Sequence, residues 1–205
     1  TGTSSSCISL LVLDVGGEIL RKLINSHESQ GLISIRVIRE IRVQNEIRMK
    51  TILMAGGRGT RIAELFPNIP KPLIPVAGMP ILEREIRSLC AQGFKDIILT
   101  VGYLADKIIA YFGDGSQFGA KIDYFVEESP LGNAGALFRL REKIGDEPFL
   151  LLNADAAFDV DFNRMVAFHQ NHGGLVTLFT HPNSHPYDSG LIIADENGHV
   201  EKWLA

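Results

Sequence analysis

A short glycine-rich segment with fixed positive charges is the part of the sequence best suited to chemistry. An apolar run stops at Gly56 and Gly57, and Gly59 follows two residues later. Glycine has no Cβ, so its backbone can adopt positive φ angles and bring N–H groups close to an anion. Arg58 and Arg61 place guanidinium groups, which suit phosphate oxygens, in the same segment. The pattern predicts an anion-binding loop.

A lysine between two prolines adds to this charge about ten residues further on. Pro70 and Pro72 restrict the backbone around Lys71, whose ammonium would supply a point charge. Two familiar phosphate loops do not fit. The pattern G-x-x-x-x-G-K-[ST] needs a lysine after its last glycine, and G-x-G-x-x-G needs a glycine where Ile62 stands. The sequence therefore predicts a polyphosphate site of another kind.

Composition limits the possible classes of protein. The chain has 205 residues, 45% hydrophobic and 21% charged, which suits one ordinary core. The formal net charge is −4 without a basic block, which argues against nucleic-acid binding. No apolar run approaches the ~20 residues of a membrane span, so we expect a cytoplasmic protein with no membrane partner. Cys7 and Cys90 lack metal-site spacing and are expected to be reduced thiols.

From residue 50 onward, predicted strands and helices alternate. The predicted strands are "KTILMA", "DIILTV", "KIDYFVE", "PFLLLNA" and "LVTLFT". The predicted helices are "PILEREIRSLCAQG", "LADKIIAYFG", "NAGALFRLREKIG" and "DFNRMVAFHQNHG". Two short runs around Asp195–Gly198 predict a hairpin. This alternation predicts an α/β fold with a doubly wound, mostly parallel sheet, in which ligands bind beyond the carboxyl ends of the strands.

The domain boundary is expected at Met49, where "MKTILMAGG" looks like a natural beginning. We interpret residues 1–48 as an N-terminal extension, a linker or a poorly ordered segment. Residues 49–205 are interpreted as the domain.

Several motifs together carry a specific resemblance. "AGGRGTR" followed by "PKPLIPVAGMPIL" is similar to the signature of the sugar-1-phosphate nucleotidyltransferases, and "EESPLGNAGAL", "LLNADAAFDVD" and "SGLIIADENGHVEKW" follow in the family's order. The resemblance implies a Rossmann-like nucleotidyltransferase fold, here incomplete at its C-terminus. It also implies a reaction of a nucleoside triphosphate with a sugar 1-phosphate, giving a nucleotide sugar and pyrophosphate, with Mg²⁺.

The same resemblance implies roles for individual residues. Three are expected to be catalytic: Arg61, Lys71 and Asp155, of which Asp155 would also bind the metal. The residues expected to contact the nucleotide are Leu53, Ala55, Gly56, Gly57, Gly59, Thr60 and Gly132, with Glu128 as a further candidate. The residues expected to hold the sugar phosphate are Gly190, Glu201 and Lys202. Trp203 departs from the family, which usually has proline after the Glu-Lys pair.

The finer identity of the substrates is a further expectation. The "EESPLGNAGAL" motif looks most like that of guanylyltransferases acting on mannose- or heptose-type 1-phosphates, so GTP is the expected nucleotide. Two alternatives stay open: a non-catalytic regulatory relative that binds nucleotide sugars, and a cytidylyltransferase acting on an alcohol phosphate. A homo-oligomer is also among the expectations. Family members continue to a second metal-binding aspartate with no candidate here, so the chain is expected to turn over little on its own.

Overall fold

A computed structural model describes most of the chain from residue 49 onward and two short segments before it. The residues described are 6–13, 33–34, 49–57, 59–129, 131–157, 159–182 and 190–204. Their side chains are described except at 6–13, 33–34, 60–61, 132–134 and 182.

The strands form one large sheet and one small one. In chain order they are β1 Ser6–Leu13, β2 Ile33–Ser34, β3 Lys50–Ala55, β4 Pro75–Val76, β5 Met79–Pro80, β6 Asp96–Val101, β7 Lys121–Val126, β8 Phe149–Asn153, β9 Val176–Pro182, β10 Leu191–Ala194 and β11 His199–Leu204. The large sheet has the order β2-β11-β10-β1-β8-β3-β6-β7, with β9 also paired to β1. Strands β4 and β5 pair with each other.

Helices cover both faces of the large sheet. The α-helices are α1 Thr60–Ala63, α2 Ile81–Ala91, α3 Ala105–Phe112, α4 Gly132–Ile144 and α5 Phe162–His172, with 3₁₀ turns at Lys71–Leu73 and Ser116–Phe118. In the part of the chain that is described, none of these helices is long and apolar enough to cross a membrane.

The centre of the sheet is a parallel series, β8-β3-β6-β7. Successive side chains of a strand point to opposite faces. Leu53 and Leu99 accordingly pack with α2, α3 and α5, whereas Ile52 and Ile98 pack with α4. Burial on both faces explains why these strands read as continuous apolar runs. The predicted doubly wound α/β fold is confirmed.

Outside this central series the strands pair antiparallel. The predicted "LVTLFT" strand is β9, and it pairs antiparallel with β1. The predicted hairpin is confirmed as β10–β11. Its turn is closed by Asp195, whose Oδ1 accepts N–H bonds from Asn197 and His199 at 2.9 and 2.7 Å, and Gly198 supplies a φ of 83°.

Strand β1 comes from upstream of the expected boundary and lies between β8 and β9. Leu11 is opposite Leu151 of β8 on one side and Leu178 of β9 on the other. The backbone groups of both neighbours are therefore paired through a segment that precedes Met49. The boundary at residue 49 stays a prediction, and deletion tests it directly.

Removing residues 1–48 is expected to lower the stability of the domain. The loss of β1 would leave β8 and β9 with unpaired edges, which favour aggregation. We expect a lower urea midpoint and a larger aggregated fraction in size-exclusion chromatography than for the full chain. Removing only residues 1–5, which precede β1, is the control and should change neither. An unchanged midpoint for 49–205 would mean that β1 does not belong to the cooperative unit.

Helix α2 carries a buried acid within this core. Glu85 is 5% exposed, and neither of its carboxyl oxygens has a hydrogen-bond partner among the described residues. Burial, and secondarily the negative charge of Asp155, raise the pKa of Glu85 well above its ordinary value. Folding therefore shifts the protonation equilibrium of Glu85 toward the neutral form relative to the unfolded chain.

Replacing Glu85 with glutamine is expected to stabilise the protein as pH rises. Above the ordinary pKa the unfolded chain releases a proton that the folded chain retains, so wild-type stability falls until the raised pKa is reached. Glu85→Gln removes this dependence. Urea unfolding should give nearly equal free energies of unfolding for wild type and Glu85→Gln at pH 4. Between pH 4 and pH 8 the free energy of unfolding of Glu85→Gln should increasingly exceed that of wild type. Glu142→Gln, at an exposed carboxylate, is the control; parallel curves for wild type and Glu85→Gln would contradict the prediction.

Candidate functional site

A cavity of about 360 Å³ opens at the carboxyl ends of β3 and β8. This is the edge of the sheet at which ligands bind in open α/β folds. Of the residues expected to act in a site, the cavity is lined by Ala55, Gly56, Gly57, Gly59, Lys71 and Asp155. The structure therefore brings the predicted glycine loop, lysine and aspartate together.

The last glycine of the loop determines the local path of the chain. Gly59 has φ 56° and ψ 37°, and its carbonyl accepts the N–H groups of Ile62 and Ala63 at the start of α1. A Cβ built on Gly59 would lie 3.0 Å from the Cβ of Lys71. Glycine is thus favoured here by its backbone angle and by the packing of the lysine stem against it.

Lys71 and Asp155 form an ion pair at the cavity. The Lys71 ammonium donates to Oδ2 of Asp155 at 2.7 Å, and the two side chains are 37% and 43% exposed. The lysine begins a 3₁₀ turn fixed by Pro70 before it and the buried Pro72 within it. The aspartate lies in the turn after β8, where the N–H of buried Ala154 donates to the carbonyl of Met54. Sheet and prolines hold the two charges in contact.

A second carboxylate lies in the cavity wall at Glu127. A Cβ on Gly56 would lie 2.7 Å from Oε1 of Glu127, and a Cβ on Gly102 would lie 2.9 Å from the carbonyl oxygen of Gly56. The Glu127 N–H donates to the carbonyl of Val101 at 2.7 Å, while its Oε2 accepts the N–H of Leu131 at 3.2 Å. The ends of β3, β6 and β7 therefore meet closely and fix this carboxylate.

Sequence reasoning missed Glu127 and pointed to its neighbour. Glu128 is exposed and does not line the cavity. The missed signal is positional, because Glu127 is the first residue past the end of β7, where side chains face the ligand edge of a parallel sheet. Sequence reasoning also did not single out Asn153, at the end of β8, which lines the cavity as well.

The described oxygen ligands fit a magnesium ion. The Asp155 carboxylate and the Asn153 amide, two residues apart, both line the cavity. Mg²⁺ binds hard oxygen atoms, commonly one or two carboxylates together with substrate phosphates and water. In the described part of the chain there is no cluster of three or more His, Cys, Asp or Glu residues of the kind that forms a metal cage. A metal shared with substrate suits these residues better.

Other predicted nucleotide contacts are only partly described. Gly132 begins α4. Thr60 and Arg61 lie in α1, and their side chains are not among those described. Arg58 lies outside the described residues. Leu53 is 0% exposed, so its side chain belongs to the core and does not line the cavity.

The predicted sugar residues lie elsewhere in the sheet. Gly190 precedes β10, and Glu201 and Lys202 are exposed residues of β11. Strand β10 pairs with Ser6 and Cys7 of β1, whereas β8 pairs with Leu10–Leu13 further along the same strand, and none of the three residues lines the cavity. Trp203 instead packs over Gly190, where a Cβ would lie 3.5 Å from the indole Nε1. The sugar-binding role of these residues stays a prediction.

Comparison with known proteins places the chain among curated transferases. It is 33% identical over 165 residues to the UTP–glucose-1-phosphate uridylyltransferase of Synechocystis sp., covering 74% of this chain and 42% of that protein. It is 35% identical over 153 residues to the mannose-1-phosphate guanyltransferase of Aspergillus oryzae, covering 73% of this chain and 42% of that protein. The chain thus spans less than half the length of these relatives.

Solved structures share the fold. HddC from Yersinia pseudotuberculosis matches with a TM-score of 0.60 and 26% identity, covering 76% of this chain and 68% of that one. A second HddC structure, solved with GMP-PN, has the same TM-score and covers 77% of this chain. The nucleotidyl transferase family matches residues 50–204 of this chain. This range includes every residue that lines the cavity. The chain therefore belongs to the nucleotidyl transferase family.

Proposed function

We propose that this chain carries the nucleotide-binding part of a sugar-1-phosphate nucleotidyltransferase that uses Mg²⁺ and favours GTP. The observation that supports this most is the Lys71–Asp155 ion pair at 2.7 Å in a cavity lined by Gly56, Gly57 and Gly59. A phosphate-binding lysine and a carboxylate for magnesium stand side by side there. Glycine backbone completes an environment suited to a triphosphate.

The proposed reaction is an in-line displacement at phosphorus. An oxygen of the sugar phosphate forms a bond to the α-phosphorus of the nucleotide, and the bond from that phosphorus to the bridging oxygen of pyrophosphate breaks. Both reactants are anions, so the protein acts mainly by positioning them and offsetting their repulsion. Lys71 supplies charge beside the phosphates, and the loop at Gly56 and Gly57 offers backbone N–H groups. Magnesium, held by Asp155, would neutralise charge on the phosphoryl oxygens.

Glu127 favours guanine as the base. Guanine presents two adjacent donors, N1–H and the N2 amino group, which a carboxylate can accept together. Uracil presents one N–H between two carbonyl oxygens, and these acceptors would face the negative carboxylate. The Leu131 N–H bond occupies only part of the accepting capacity of Glu127. The mannose-1-phosphate guanyltransferases among the relatives support the same choice and favour a mannose- or heptose-type 1-phosphate.

Replacing Glu127 with glutamine is expected to reduce the preference for GTP over UTP. The amide loses the charge-assisted bonds to guanine and removes the repulsion of uracil. Hydrogen bonds to charged groups contribute about 1.5–3 kcal/mol, so the ratio of the two dissociation constants should fall roughly tenfold or more. Equilibrium binding of GTP and UTP with Mg²⁺ measures it. Glu128→Gln, at the exposed neighbouring acid, should leave the ratio unchanged; a ratio that survives Glu127→Gln would remove Glu127 from base selection.

Pyrophosphate release tests the proposed reaction. With Mg²⁺, GTP and a panel of sugar 1-phosphates, release is expected to depend on one sugar and to fall roughly 100-fold or more in Asp155→Ala, as for other losses of charge stabilisation. Asp159→Ala, at an exposed acid in the same loop, is the control. The assay should be run on this chain and on a form extended past Ala205.

The remaining outcomes separate the alternatives. Nucleotide binding without release for every sugar and both chain lengths would indicate a regulatory relative. Release with CTP and an alcohol phosphate would indicate a cytidylyltransferase.

A further inference from the structure

The two charged side chains Lys71 and Asp155 contact each other in the cavity. The ammonium of Lys71 lies 2.7 Å from Oδ2 of Asp155, a position in which it neutralises the carboxylate. A cation that binds both oxygens of Asp155 must displace Lys71, and one that binds Oδ1 alone lies beside the ammonium and is repelled by it. A triphosphate that binds Lys71 in this position lies beside the Asp155 carboxylate and is repelled by it.

We propose that Lys71 and Asp155 form a coupling pair, which a metal ion and a triphosphate separate together and neither separates well alone. The inference rests on the metal and nucleotide roles proposed above. In the joint exchange the metal takes the carboxylate and a phosphate takes the ammonium, so neither protein charge is left unpaired. When only one of the two ligands binds, the side chain that it does not contact loses its partner and forms no new ion pair.

The pair is weak enough to open. Both side chains are more than a third exposed, and ion pairs of this kind correspond to an equilibrium factor of about fivefold at most. The exchange therefore costs little compared with the binding of a chelated metal.

The lysine can exchange partners without leaving the cavity. Its stem packs against Gly59, where a Cβ would lie 3.0 and 3.4 Å from the Lys71 Cβ and Cδ. Only the ammonium needs to move, within a space lined by Gly56 and Gly57.

The other charge in the cavity wall strengthens the coupling. Among the described lining side chains, Glu127 and Asp155 are acidic and Lys71 is basic. A triphosphate that arrived without a metal would draw Lys71 from Asp155 and then face two carboxylates. The same triphosphate carrying a divalent cation presents positive charge to Asp155.

The metal half of the inference is tested without nucleotide. Lys71→Met keeps much of the stem and removes the charge, so its affinity for Mn²⁺, measured by electron paramagnetic resonance of the free ion, should rise up to about fivefold over wild type. Lys121→Met removes an equal charge from an exposed pair with Asp123 and should show no rise. An unchanged Mn²⁺ affinity in Lys71→Met, or the same rise in both variants, would overturn the inference.

The triphosphate half is tested by a double-mutant cycle in EDTA. Asp155→Asn should tighten the binding of metal-free GTP because it releases Lys71, again by up to about fivefold. In the Lys71→Met background the same substitution should give a smaller gain, because it relieves only the repulsion between Asp155 and the phosphates. An equal gain in both backgrounds would mean that Asp155 merely repels the phosphates, which overturns the coupling.

The two proposals can fail separately. Suppose that Lys71→Met binds Mn²⁺ more tightly but that neither wild type nor any variant binds GTP, with or without Mn²⁺. This result would contradict both the proposed function and the part of the inference that concerns the triphosphate. If GTP binds normally with Mn²⁺ and the cycle shows no coupling, the nucleotide site stands and the inference falls.

Discussion

The register of the parallel ladder is the constraint on which the site depends. Leu53 of β3 is opposite Leu152 of β8 on one side and Leu99 of β6 on the other. Because the three strands run in the same direction in this register, they end at nearly the same level. The segments after them turn away from the sheet at one edge, which brings the glycine loop and Asp155 to a common cavity.

The helices hold the segment that leaves β8 in place. Gln92, at the end of α2, accepts the N–H of Phe162 at 2.7 Å and donates to the carbonyl of Val160 at 3.0 Å. Asn163 donates to the Gln92 carbonyl at 3.0 Å. These bonds tie the segment between Asp155 and α5 to the helix that carries Glu85. The aspartate thus lies between the rigid end of β8 and a segment held by hydrogen bonds.

Sequence reasoning succeeded where the determinants are local. The apolar runs of β3, β6 and β8 predicted strands buried on both faces, and the proline-flanked Lys71 and strand-end Asp155 were expected at the ligand edge, where the structure places them. The strands and the charge at Lys71 follow from a few neighbouring residues, whereas Asp155 was expected at the site because its motif resembles that of the family.

Sequence reasoning was silent where distant segments decide the outcome. Strand β1 pairs with segments about 140 and 170 positions further along the chain, and its short apolar run carries no sign of that choice. Whether Glu127 or Glu128 faces the cavity depends on the residue at which β7 ends. The packing of Trp203 on Gly190 likewise depends on the β10–β11 pairing.

Three carboxylates near one another illustrate how environment assigns chemistry. Glu85 is buried, its carboxyl oxygens lack a hydrogen-bond partner among the described residues, and its pKa is raised, so it is favoured as a neutral group and is a poor ligand for a cation. Glu127 is fixed by a backbone N–H at the cavity wall, which suits a carboxylate that reads donors on a ligand. Asp155 is half-exposed and paired with a lysine that can leave. This third arrangement suits the metal role proposed for Asp155, because its partner is an exposed lysine in a weak ion pair.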